Sequence, residues 1–246
     1  MSICFVLKQF AKDWFPPILL HKFRILRQQP EQRYFGLNEL DRRLEPYLNY
    51  NDGYYVELGA NDGVAQSNTL HFERFKNWCG VLVEPVPHNY LKCRTNRSRR
   101  NSVYCAACVR FGYDQEFVKI AYSNLMSTAI GVESEISDPF AHASEGGRFL
   151  GNDENIFMFG AKARTLTDIL QEAGAPHRID LLSLDVEGVE LEVLKGVDHL
   201  QYRFNYLVVE NRAFDELEEY LKVQHYEFIA KLSHHDYLFR DTSKPS

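Results

Sequence analysis

The ten residues Tyr54-Tyr-Val-Glu-Leu-Gly-Ala-Asn-Asp-Gly63 constrain the fold of this chain most, because they run a short apolar strand into a glycine turn with an acid inside the strand end. Gly59 and Gly63 let the backbone take positive φ, or pass close to a ligand, where a side chain would obstruct. Glu57 adds a chemical preference. A carboxylate there suits a cationic ligand group and repels a pyrophosphate, and the dinucleotide fingerprint calls for glycine where Asn61 stands. The turn therefore points to a ligand such as S-adenosylmethionine, which carries an ammonium, ahead of a nicotinamide dinucleotide.

A second acid extends this reading. Gly80-Val-Leu-Val-Glu84-Pro85 is another short apolar run bounded by turn residues. Glu84 follows the glycine turn by roughly 20 residues, the offset at which doubly wound folds hold ribose hydroxyls. The alternative is that Glu57 and Glu84 are ordinary strand-end acids paired with nearby lysines or arginines. Beyond them, strands alternate with helices. Ser67 caps a helix through Asn77, Pro87 opens another, and Ser102 to Cys108 reads as the third strand. Thr165-x-x-Asp168 resembles a capping box, with Gly174 and Pro176 stopping its helix. Ile179–Leu184 and Phe204–Val209 read as the fourth and fifth strands, and residues 227–232 with 237–240 as a final antiparallel pair. The expected fold is α/β and doubly wound, Rossmann-like, with a mainly parallel seven-stranded sheet and an antiparallel last strand.

With these segments in view, the chain resembles the FkbM family of S-adenosylmethionine-dependent methyltransferases. The matching stretches are Val56–Gly63, Ser67-Asn-Thr-Leu70, Gly80–Pro85, Asn96-Arg97 and Leu181–Gly196, which contains Asp185-Val-Glu-Gly188. The resemblance spans roughly residues 50 to 212 and implies a class I methyltransferase fold. It implies donor contacts at Glu57, Gly59, Asn61, Gly63, Asn68, Glu84, Ala106 and Asp185. It also implies O-methylation of a sugar or another hydroxylated small molecule.

Open α/β sheets gather ligands at the C-terminal strand edge. Asp185 ends strand four, Glu187 follows it, and Glu210-Asn211 ends strand five. Catechol-type O-methyltransferases hold a magnesium ion with an Asp after strand four and an Asp-Asn pair after strand five. Asp185, Glu210 and Asn211 are similar, with Glu replacing the second Asp, and hard oxygen ligands suit Mg²⁺. The competing reading is metal-free: Asp185 contacts the donor and Glu187 or Glu210 acts as base. His71, His142, His177, His234 and His235 qualify as bases by residue type alone, without a diagnostic spacing. N-methylation on the same fold, a non-catalytic binding or scaffold protein, and a dehydrogenase are the other functional readings.

With 246 residues, 45% hydrophobic and 25% charged, the chain suits one large α/β domain. Its boundaries are expected at residues 50–246, behind an extension at 1–49. A formal charge of −6 argues against a nucleic-acid partner. The basic cluster Lys92, Arg94, Arg97, Arg99 and Arg100 reads as a solvated helix end, or as a contact for an anionic substrate. Cys105-x-x-Cys108 lacks a second pair, so the thiols read as reduced and mostly buried, in keeping with the cytoplasm. Residues 1–35 are amphipathic and basic, too charged to span a membrane. They suit packing on the domain or on a partner subunit, or peripheral contact with the inner face of a membrane. The stretch from 111 to 164 reads as a long irregular insertion, with a possible strand at Phe117–Tyr122, acting as a lid or acceptor-binding element.

Overall fold

A computed structural model of the protein describes residues 32–151 and 154–243. The basic amphipathic stretch falls almost wholly on residues 1–31, outside the described residues. Among the described residues no helix is long and apolar enough to cross a membrane. The main compact unit is Phe35–Ser246. Its core takes in Leu40, Leu44 and Leu48, so residues 35–48 belong to the domain and the boundary expected at residue 49 moves back.

The strands, in chain order, begin with β1 (Tyr54–Leu58), β2 (Cys79–Val83), β3 (Ser102–Tyr104), β4 (Ala107–Cys108), β5 (Phe117–Tyr122) and β6 (Thr128–Ile130). They continue with β7 (Phe157–Arg164), β8 (Arg178–Leu184), β9 (Arg203–Glu210), β10 (Tyr226–Lys231) and β11 (Asp236–Asp241). The helices are α1 (Leu40–Leu44), α2 (Leu70–Lys76), α3 (Pro87–Asn96), α4 (Pro139–Gly146), α5 (Leu166–Glu172), α6 (Glu190–Leu194) and α7 (Phe214–Val223). Seven strands form one sheet in the order β10-β11-β9-β8-β1-β2-β3. β3, β2, β1, β8 and β9 run parallel, and β11 lies antiparallel between β9 and β10. This is the expected doubly wound α/β sheet with its antiparallel last strand. Connections leave β1 toward β2 on one side while β8 pairs on the other, so a crevice opens beyond the C-terminal ends of β1 and β8.

Alternation along each strand builds two cores. Val56, Leu58, Val81, Val83, Leu182 and Leu184 face α5 on one side. Tyr55, Leu82, Leu181 and Val208 face α1, Phe72 and Trp78 on the other. The side-chain period of two makes this partition unavoidable once the register is set. Local signals hold where the chain is regular. Pro87 lies in the first turn of α3, Thr165 Oγ1 accepts the Asp168 N–H at 3.1 Å, and Gly174 takes φ of 61° after α5.

Two expectations are corrected. The single third strand over residues 102–108 is split: β3 pairs with β2, while β4 pairs with β7 in another sheet. The insertion is not an irregular loop. β5, β6 and β7 join β4 in a second sheet ordered β4-β7-β5-β6, over a core of Val109, Val118, Ile120, Ala129, Ala161 and Val189. Of the residues that suggested a loop, Thr128 and Gly160 lie within β6 and β7, while Gly112 and Gly131 take positive φ at turns.

Candidate active site

A cavity of about 380 Å³ opens at the C-terminal edge of the main sheet. Leu58, Gly59, Val83, Glu84, Asp185 and Glu210 contribute from the strand ends. Val118, Ile120, Asn124, Ser127, Ala129 and Phe149 line it from the insertion. The size falls within the range of small-molecule sites.

The strand ends are locked together at Gly59. Its φ is 77°, and a Cβ there would lie 1.8 Å from the Asp185 carbonyl oxygen. No side chain fits. The glycine thus brings the β1 end against the backbone at Asp185, whose N–H donates to Leu58 O at 3.3 Å. Gly63 serves a different neighbour. A Cβ on it would meet Arg97 Cγ at 2.8 Å, and Gly63 is outside the cavity lining.

Glu84 stands one residue beyond β2, on the cavity. One oxygen accepts the Asn61 N–H at 2.8 Å and the other the Val86 N–H at 2.9 Å. Each oxygen keeps further acceptor capacity. Burial pushes the carboxyl up to about 7, against the opposing pull of those backbone N–H groups. Asn61 and Ala106 lie beside it in the lining.

Glu57 departs from its expected role. As the fourth residue of β1 it points to the Tyr55 face, away from the cavity, and is 4% exposed. Its carboxylate accepts from Ser67 Oγ at 2.9 Å, the Asn68 N–H at 2.9 Å, Thr69 Oγ1 at 2.7 Å and Arg97 Nη1 at 3.0 Å. No acceptor capacity is left for a ligand's ammonium. Arg97 is also buried, and its Nε donates to Glu73 at 2.7 Å, so this member of the expected solvated basic cluster is a structural core cation. Asn68 turns its amide to Ser183 Oγ at 3.1 Å and, like Glu57 and Gly63, does not line the cavity. For Glu57, the ordinary reading of a strand-end acid paired with an arginine is the one the geometry supports.

The three acids at the ends of β8 and β9 do converge on the cavity. Asp185 is raised well above the usual carboxylate range by burial, then by the charges of Glu210 and Glu187, and it hydrogen-bonds Glu210. Glu210 is raised as well, by burial and by Glu187, while the hydrogen bond from Asp185 opposes that rise. Two carboxyls so placed disfavour both being ionised at once. Glu187 has φ of 55°, an uncommon conformation for a non-glycine residue. The insertion clamps it: Thr128 Oγ1 donates to Glu187 O at 3.1 Å, the Glu135 N–H donates to Gly188 O at 2.9 Å, and His142 Nε2 lies 2.8 Å from Glu187 Oε2. Arg212 Nη2 reaches the same Oε2 at 3.5 Å and Glu210 Oε1 at 3.4 Å.

The third expected magnesium ligand is elsewhere. Asn211 is fully buried, hydrogen-bonds Glu135 through its amide nitrogen, and does not line the cavity. Among the described residues no group of three His, Cys, Asp or Glu side chains is arranged to hold a metal ion. Asp185, Glu210 and Asn211 therefore do not fit the role of an ion's ligand set. Arg212, Asn124, Arg148 and Phe149 line the site without having been singled out as site residues. Adjacency to Glu210-Asn211 was the only available signal for Arg212. The sequence marks the insertion only as a segment, a lid or acceptor-binding element over residues 111–164, and does not mark its individual residues, because strand pairing across 40 residues brings them in.

Residues 57–239 match the family described as Methyltransferase FkbM domain. A protein named "Methyltransferase sdnD" from Sordaria araneosa is 29% identical over 162 residues, which cover 59% of this chain and 60% of that protein. Among solved structures, a human methyltransferase 10 domain containing protein is similar with TM-score 0.44 and 12% identity, covering 83% of each chain. M. capricolum TrmK, in complex with S-adenosyl-homocysteine, gives TM-score 0.40 and 10% identity, covering 82% of this chain and 65% of that one. These structural likenesses are distant, and the assignment rests on the family match, which covers most of the chain: the protein belongs to the FkbM methyltransferase domain family.

Proposed function

We propose that the chain transfers the methyl group of S-adenosylmethionine to a hydroxyl of a small-molecule or carbohydrate acceptor. The observation that carries this reading is the pairing, on one cavity, of Glu84 with the acids at the ends of β8 and β9. Glu84 is fixed by two backbone N–H groups and still offers an acceptor site on each oxygen, which suits two neighbouring ribose hydroxyls. When bound, the donor supplies an electrophilic methyl. The protein's work is then to align and deprotonate the acceptor.

Glu187 is the group best placed to take the acceptor's proton. Asp185 and Glu210 face each other where burial disfavours charge on either, and serve better as a fixed wall of the site. Glu187 Oε2 is held by His142 and Arg212, while its Oε1 makes no hydrogen bond among the described residues. That oxygen can accept from a hydroxyl. The insertion, through Ser127, Ala129 and Phe149, covers the acceptor and limits water.

Incubating the protein with labelled donor and a panel of sugar nucleotides, glycans and small amines, with products read by mass spectrometry, tests the reading. A methyl on oxygen that disappears with Glu187→Gln is expected. Methylation confined to amines overturns the hydroxyl preference, and absence of S-adenosylhomocysteine binding by calorimetry overturns the donor.

A further inference from the structure

Building on that reading, we infer that Arg212 takes the place of a divalent cation in this site, holding Glu187 and Glu210 so that methyl transfer proceeds without a metal. Three carboxyls converge on one cavity, and such a group must be neutralised by protons, organic cations or a metal. Here protein groups lie within reach of the acids. Asp185 lines the cavity beside Glu210. The guanidinium of Arg212 lies 3.4 Å from Glu210 Oε1 and 3.5 Å from Glu187 Oε2, and the imidazole of His142 lies 2.8 Å from that same Oε2.

The neighbouring contacts exclude the alternative ligand set. A magnesium ion needs several oxygens in near-octahedral array, and it would have to sit where the guanidinium already contacts both glutamates. Asn211 does not complete the set from where it stands, because its buried Oδ1, though free of a hydrogen-bond partner, lies off the cavity lining. Its amide nitrogen donates to Glu135, its backbone N–H donates to His235 O at 2.9 Å, and the Arg212 N–H donates to Glu135 Oε2 at 2.7 Å. Glu135, from the insertion, therefore anchors the Asn211-Arg212 step so that the arginine, and not the asparagine, faces the acids. A planar guanidinium has a fixed set of donors and keeps its charge throughout the working pH range.

Manganese serves as the probe, because it takes the same oxygen ligands and is read directly by electron paramagnetic resonance. Wild type, with and without S-adenosylhomocysteine, is expected to show no saturable Mn²⁺ site at millimolar concentration, and activity on any acceptor found is expected to survive chelation. Arg212→Gln should gain Mn²⁺ affinity at least tenfold, whereas Arg212→Lys, which keeps the charge, should not. A purely structural arginine would not create metal affinity on removal. Saturable binding by wild type that Glu210→Gln abolishes overturns the inference; binding untouched by Glu210→Gln and Asp185→Asn lies elsewhere and counts with the expected result. Arg212→Gln that folds like wild type by circular dichroism yet gains no Mn²⁺ also overturns it. If Arg212→Gln does not fold, Arg212→Met is read the same way, and if neither folds, chelation of wild type decides. Failure to bind S-adenosylhomocysteine would instead remove the donor assignment, leaving the Mn²⁺ result to stand by itself.

Discussion

Glu57 and Glu84 carry the same signature in the chain, an acid at the end of a short apolar strand, and meet opposite fates. Glu57 is the fourth of five residues in β1, so strand alternation turns it beneath the sheet, where Arg97, Ser67 and Thr69 close around it. Glu84 comes one residue after β2 ends, beyond the ladder, and faces the cavity with two backbone N–H groups behind it. Glu57 lies opposite Leu82 and Glu84 follows two residues later, so two positions of register separate a structural ion pair from an acid on the cavity. The general lesson is that an acid near a glycine turn is a ligand candidate only if the strand has ended before it.

The largest effect that would test this contrast is on stability. Glu57→Ala leaves Arg97 buried with one carboxylate partner fewer, and removing one member of a buried ion pair costs about 3–5 kcal/mol. Urea unfolding should show that loss, while the folded fraction keeps its affinity for S-adenosylhomocysteine. A protein of unchanged stability that no longer binds would return Glu57 to the ligand.

Glu84→Ala should behave in the reverse sense. Loss of charge-assisted hydrogen bonds to the ribose should weaken S-adenosylhomocysteine by roughly tenfold to a hundredfold in calorimetry. Equal binding by wild type and variant would break the comparison from the other side.

A pH series is expected to give a smaller signal. Burial raises Glu84 to about 7 and Glu190 to about 8, whereas both ionise near 4.5 in the unfolded chain. The folded protein therefore keeps protons that the unfolded chain gives up. Their contribution to stability falls as pH rises from 4.5 and levels off above their folded values. Glu84→Gln and Glu190→Gln should each flatten the decline of melting temperature between pH 5 and 8. A decline as steep in both variants as in wild type would show that these carboxyls are not its source.

The smallest expected change sharpens the boundary of the site. Asn68 hydrogen-bonds Ser183 behind β1, so Asn68→Ala should leave S-adenosylhomocysteine affinity within about twofold of wild type, in keeping with a single neutral hydrogen bond remote from the ligand. A tenfold loss would place the donor on the Glu57 side of the strand.

Much of the fold was legible in the chain because its signals are local. The apolar runs that became β1, β2, β8 and β9, the cap at Thr165 and the proline at Pro87 follow from side-chain period and backbone conformation. Glu84 and the acids around Asp185 were legible for the same reason, since strand ends define the edge of the sheet. The facing of Glu57 was not, because the point at which β1 ends is fixed by pairing with β2 and β8. Nor was the insertion sheet, whose longest ladder joins β5 to β7 across the chain between them. Its turns read as loop, and its strands acquire a buried face only against each other and Val189.

The sequence by itself determined that an alternating chain with acids at its strand ends would build a doubly wound sheet with a ligand edge, since hydrophobic period and turn chemistry act over a few residues. Tertiary structure alone decided which acids reach that edge. It turned Glu57 to Arg97, brought His142 to Glu187, and set Arg212 in front of Asn211 by tying both to Glu135. These choices depend on charges meeting across distant parts of the chain in a desolvated space, where each buried carboxyl must find a proton or a cation and the fold dictates which one is within reach.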